Sequence, residues 1–166
     1  MWGDLPEGAQ RVQQFLFEHG SAAVVRLLPE TTATAQDAAI ALGAPLSSIG
    51  KSIVFDSDTE TIVAVACGDQ RIDVAALALA AGIEGLSPMR AGAIRQATGY
   101  VIGGVSPFAL PVGIRVIVDQ RLRDLPECYV AAGHPRAIVQ ITPEELLALT
   151  GAAVHSIALG LIPGDR

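Results

Sequence analysis

Apolar and polar positions along the chain follow two periods, and the switches between them mark out the elements. From Glu7 to His19 the positions Val12, Phe15, Leu16 and His19 recur at helical spacing, and Gly20 follows as a stop. Residues 22–28, AAVVRLL, have the length and β-branched content of a strand. Thr34 stands as an N-cap before a helix at 35–42, which Gly43 closes with Pro45 beyond. A strand from Lys51 to Phe55, a polar turn (Asp56, Ser57, Asp58) and a strand from Thr61 to Cys67 predict a β-hairpin. Helices are predicted at 73–81 and 88–97, the second with Ser87 as N-cap and Pro88 at its first position.

The segment 99–113, GYVIGGVSPFALPVG, breaks both periods. Its four glycines and two prolines among apolar residues suit neither a regular helix nor an uninterrupted strand. Strands follow at 114–119, 127–132 and 136–141. Thr142, Pro143 and Glu145 then open the last helix as N-cap, first-position proline and third-position acid. About six or seven strands interleave with about four or five helices, without repeat or linker. The expectation is one mixed α/β domain over residues 1–166.

Composition narrows the classes. Apolar residues make up 51% of the chain and charged residues 17%, which excludes a disordered chain. Mean hydropathy is +0.45, yet no uninterrupted apolar run reaches membrane-spanning length. The start, MWGDLPEGAQ, lacks the basic and apolar stretches of a signal peptide, so a cytoplasmic protein without membrane contact is expected. Cys67 and Cys128 are too few for a disulfide framework or a cysteine zinc site, and no two histidines have metal-ligand spacing. No metal and no cofactor is expected. The net charge of −6 offers no general attraction to a phosphate backbone. A nucleic-acid contact would be local, at a strand end, and sequence-specific DNA binding is disfavoured.

Three places could carry chemistry. Lys51 is the only lysine among eleven lysines and arginines. It reads either as a solvated strand-end lysine or as a compact point charge for a phosphate or carbonyl oxygen. Gly99, Gly103 and Gly104 either bring main-chain amides close to an oxyanion or make a tight bend that Pro107 and Pro111 stiffen. His134, in Gly133-His134-Pro135 between two predicted strands, is either a proton shuttle or pocket wall, or a surface turn histidine. Ser106 lacks the GxSxG elbow, the two cysteines sit in apolar strands, and Asp119 ends a strand where it would cap a turn.

Several stretches together resemble the YbaK/EbsC family, the prolyl-tRNA editing domain and its free-standing relatives. They are TTATAQDAAIALGAPLSSIGKSIVF (31–55), GDQRIDVAALA (68–78), ATGYVIGGVSPFALP (97–111), VIVDQRL (116–122) and YVAAGHPRAIVQITPEELLALTGA (129–152). The resemblance implies a curved, mostly antiparallel, partly barrel-like sheet flanked by helices. It also implies an aminoacyl-tRNA deacylase acting in trans at the tRNA 3′ end, on Cys- or Ala-tRNA(Pro), without a metal or a covalent enzyme nucleophile. A prolyl-tRNA synthetase is then a candidate partner. The family's lysine falls on Lys51, its glycine loop on Gly103 and Gly104, and its pocket position on Gly133 and His134. Tyr100 and Ser106, in the same glycine-rich block, are expected at the substrate. Two positions depart from the pattern: Ala109 stands where a glycine often follows the SPF block, and Ser52 where alanine-specific members carry asparagine. The rival functions are a non-catalytic module for a charged tRNA end or a synthetase, a nucleic-acid-binding regulator, and a small-molecule esterase.

Overall fold

The computed structural model describes residues 2–29 and 34–161. Thr31, Thr32 and Ala33, which open the first of the family-like stretches, lie outside them. In chain order the elements are α1 (Glu7–Glu18), β1 (Arg26–Leu27), α2 (Ala35–Leu42), a 3₁₀ turn (Leu46–Ser48), β2 (Ile49–Asp56), β3 (Thr61–Cys67), β4 (Gln70–Ile72) and α3 (Val74–Ala81). There follow β5 (Ser87–Pro88), α4 (Ala91–Thr98), β6 (Arg115–Asp119), α5 (Gln120–Arg123), β7 (Cys128–Ala131), β8 (Ala137–Ile141), α6 (Pro143–Thr150), β9 (Ala153–His155) and β10 (Ala158–Leu161).

The large sheet runs β1-β8-β7-β2-β3-β6-β9, with β5 attached to β2, and β4 pairs with β10 in a second, two-stranded sheet. It is mixed. The β2–β3 hairpin and the β7–β8 pair are antiparallel, whereas β2–β7, β3–β6 and β6–β9 are parallel. The sheet stays open, with β1 and β9 as its edges among the described residues, rather than closing into a barrel. The expected mixed α/β architecture of a sheet flanked by helices is the one observed.

β3 is the spine because its residues are apolar on both faces. Val63, Val65 and Cys67 face one cluster, to which α1 adds Ala9, Val12 and Leu16. Ile62, Ala64 and Ala66 face another, closed by Leu77 of α3 and Ile157. A strand buried on both sides reads as a continuous apolar run, as this one does. Two of the three caps read from the sequence are present: Thr34 accepts from Asp37 N and Thr142 from Glu145 N, at 3.0 and 3.2 Å.

Two predicted elements differ. Only Arg26 and Leu27 of the 22–28 segment pair as a strand. The backbone before them is bonded by a side chain instead. The buried Gln13 of α1 donates to Ala23 O at 3.2 Å and accepts from Val25 N at 2.7 Å. The helix predicted at 88–97 begins at Ala91, with Arg90 rather than Ser87 as N-cap. Ser87 and Pro88 are taken by β2, opposite Asp56 and Phe55. A proline at this edge has no N–H to waste, and Met89 N continues the pairing onto Val54 O at 2.8 Å.

Candidate active site

β2 is covered along one edge and interrupted along the other. Gly68 N donates to Ile49 O at 2.7 Å, so Ile49, Lys51 and Ile53 turn their peptide groups toward β3. Gly50, Ser52 and Val54 therefore turn theirs the other way. Gly50 meets Val130 of β7, and Val54 O accepts from Met89 N beyond β5. Between the two partners lies Ser52, and there, among the described residues, the sheet has a gap.

A cavity of about 400 Å³ fills that gap. Its floor is Gly50–Val54. α2 contributes Ala35 and Ala38 below the capping Thr34, and the far walls come from Pro88, Met89, Ile94, Ala131 and Ile138. Ile102, Gly103 and Val105 of the glycine-rich segment close the remaining side, with Ile102 62% exposed. The lining is aliphatic apart from Thr34, Lys51 and Ser52, and Lys51 supplies its one formal charge among the described residues. The Lys51 ammonium donates to the carbonyl of Gln70. Ser52 Oγ is buried and has no hydrogen-bond partner among the described residues. An unsatisfied buried hydroxyl costs about 1–3 kcal/mol. The oxygen is enclosed, so a ligand in the cavity would reach it only after a shift of the wall.

Of the other expected site residues Gly103 reaches the cavity, and Gly104, Gly133, His134, Tyr100 and Ser106 stand one layer back. Gly103 lines the cavity at φ +84°. Gly104 packs instead: a Cβ there would lie 2.8 Å from the His134 backbone, its N–H donates to Val101 O at 3.0 Å, and its carbonyl accepts from Gly133 N at 3.0 Å. Gly133 and His134 thus brace the glycine-rich loop from behind. His134 Nδ1 accepts from Arg136 N at 3.0 Å within the β7–β8 turn. Tyr100 is buried, with its hydroxyl donating to Phe108 O and the Arg11 guanidinium 4.1 Å above its ring. Ser106 is likewise buried, and its Oγ accepts from Phe108 N at 3.2 Å. Neither Tyr100 nor Ser106 lines the cavity. Both hold the shape of the loop that does.

Cys67 and Cys128 are buried core residues. Burial pushes their thiols up to about 11 and about 12 respectively, so neither is a nucleophile at neutral pH. Asp119 caps α5 by accepting from Arg121 N at 3.0 Å. Sequence reading did not bring α2, Met89 or Ile94 to the site. The N-cap at Thr34 marked where α2 starts but carried no sign that this end rims a cavity.

A small, largely aliphatic cavity let into a sheet, with one ammonium on its wall, has the form that suits a compact, mainly apolar ligand bearing a polar group. Residues 29–149 match the aminoacyl-tRNA editing domain family. YwhH of Bacillus subtilis is 34% identical over 70% of this chain and 74% of its own length. EbsC of Enterococcus faecalis, described as a proposed Cys-tRNA(Pro)/Cys-tRNA(Cys) deacylase, is 28% identical over 75% of this chain and 76% of its own. A crystal structure described as a proposed trans-editing enzyme for prolyl tRNA synthetase superposes with a TM-score of 0.87. It is 36% identical and covers 94% of this chain and 99% of its own. The chain belongs to the aminoacyl-tRNA editing domain family, whose members act on aminoacyl-tRNA. Among the described residues no helix is long and apolar enough to cross a membrane.

Proposed function

We propose that this protein hydrolyses the ester of mischarged aminoacyl-tRNA in trans, with Cys- or Ala-tRNA(Pro) as substrate and the charged 3′ end as the part it grips. The observation that carries the reading is the gap at Ser52. It opens beside the only lysine of the chain, in a member of the editing family. The aliphatic walls suit a small amino-acid side chain, and the Lys51 ammonium supplies positive charge where an ester carbonyl or the terminal phosphate gathers negative charge. Gly103 offers main chain at the opposite wall, close enough for a reacting carbonyl because no side chain intervenes.

In this reading the protein binds and positions, and the attacking group is a water, the terminal ribose hydroxyl or the thiol of a cysteinyl substrate. Neither a metal nor a covalent enzyme nucleophile is assigned a role. Holding an already activated ester in a fixed geometry is worth about 7–11 kcal/mol at its most effective. A prolyl-tRNA synthetase, which would release the mischarged tRNA, is the candidate partner.

Deacylation of Cys- and Ala-tRNA(Pro) by wild type and Lys51→Ala tests the proposal. The variant is expected to lose about 100-fold or more in rate. Equal rates would remove Lys51 from the mechanism, and a wild type idle on every mischarged tRNA would remove the reading. Preference between the two substrates is expected to be about 10- to 200-fold, the range one small group commands in an apolar pocket.

A further inference from the structure

Lys51 reaches the cavity with its ammonium tethered from outside it. Gln70 O, which accepts that ammonium, begins β4 immediately after the turn Gly68–Asp69. The turn is clamped on every side. A Cβ on Gly68 would lie 2.6 Å from Leu46 O, so no other residue fits there without moving the main chain. Gln70 Oε1 accepts from Cys67 N at 3.2 Å and closes the loop on itself. Asp69, 7% exposed, receives both terminal nitrogens of Arg121 at 2.8 Å each. Arg121 stands in the first turn of α5. Its own N–H is held by Asp119 Oδ2 at 3.0 Å, and Asp119 Oδ1 accepts from Ile157 N at 2.9 Å.

A carboxylate taken out of water and matched on both oxygens to a guanidinium returns little net stability for its desolvation. What the pair does supply is direction, because a bidentate contact fixes the carboxylate in the plane of the fork. Asp69 precedes Gln70 and shares a peptide unit with it. The Gln70 carbonyl lies in the following peptide unit, so the ion pair acts on it by holding the turn from which β4 and that carbonyl project. That carbonyl takes one donor of an ammonium that has three, and so sets the directions of the other two.

We infer that Asp69 and Arg121 are positioning residues for Lys51, acting through the Gln70 carbonyl. The kinetic consequence rests on the deacylase reading; the structural consequence does not. With mischarged tRNA as substrate, Asp69→Asn is expected to lower kcat about 10- to 100-fold with KM within about twofold of wild type. The same change made in Lys51→Ala should cost nothing further, since the group it positions is gone. An undiminished second loss would show that the pair acts independently of Lys51 and would overturn the inference.

The single lysine supplies a readout that needs no activity. Protein labelled with ¹³C-lysine gives one ε-methylene signal, expected to show two distinct proton shifts in wild type because the side chain is held. In Asp69→Asn the signal should move and the two shifts merge, while the dispersed amide spectrum shows the fold intact. A lysine signal unchanged in Asp69→Asn would refute the positioning role whether or not the wild type turns over any tRNA. Arg121→Gln alters the pair from its more exposed end, where the Arg121 side chain is 39% exposed. It carries the same expectations should Asp69→Asn fail to fold.

Discussion

Ala109 holds φ at +54°, the one residue other than glycine in the left-handed region among those described. It is also the position where the family pattern favours glycine. An L-side chain in that region costs about 1–2 kcal/mol, and glycine returns part of the gain through its freer unfolded chain. Ala109→Gly is therefore expected to stabilise the protein by about 0.5–1 kcal/mol, read as a higher midpoint in chemical denaturation. Ser52 presents the converse case. Its buried hydroxyl has no partner among the described residues, so Ser52→Ala should hold or raise the melting temperature while deacylation falls. Unfolding and turnover measured on one preparation check this. A loss of stability would show that the hydroxyl is bonded before any ligand arrives.

At the scale of elements, what the sequence made legible was whatever local chemistry decides. The helices at 35–42 and after Thr142 announce themselves through caps bonded within three residues, and both formed where expected. The hairpin of β2 and β3 was equally plain, being two apolar runs about a polar turn. Short strands were not legible, because their reason for existing lies elsewhere in the chain. β5 is two residues long and exists because Phe55 and Asp56 present an edge to it. β4 depends in the same way on β10. The site divides along this line too. Lys51 was conspicuous as the sole lysine after a glycine, and Gly103 as part of a broken pattern. The place of Ser52 at the gap was hidden, since it comes from where β7 stops and β5 begins along β2. Tyr100, Ser106 and Gly104 belong to the same glycine-rich block but shape its fold from inside, which their spacing alone does not reveal.

For the molecule as a whole, the two buried thiols set an alkaline limit. Burial raises Cys67 from 9.0 to about 11 and Cys128 from 9.0 to about 12, and moves Tyr100 upward for the same reason. Each group is neutral in the folded state at a pH where the unfolded chain would have released its proton. Their contribution is complete below pH 9 and is lost as pH rises toward about 11 and about 12. Stability should fall above pH 9 by up to about 1.4 kcal/mol per pH unit for each thiol. Equilibrium unfolding between pH 8 and pH 11 measures it, and replacing both cysteines by alanine should flatten the decline. Thiol reagents at pH 8 should leave both side chains unmodified in the native protein.

The interruption in the sheet has one more consequence, for what can enter. A polypeptide pairs with a strand edge only where several successive residues offer donors and acceptors in register. Here β7 and β5 cover β2 on either side of Ser52, and α2 and the segment from Ile102 to Val105 stand over the opening. Among the described residues no strand pairs with Ser52 along this edge. The opening thus filters by length: an extended peptide finds no register, while a single amino-acid unit meets the whole of the available edge.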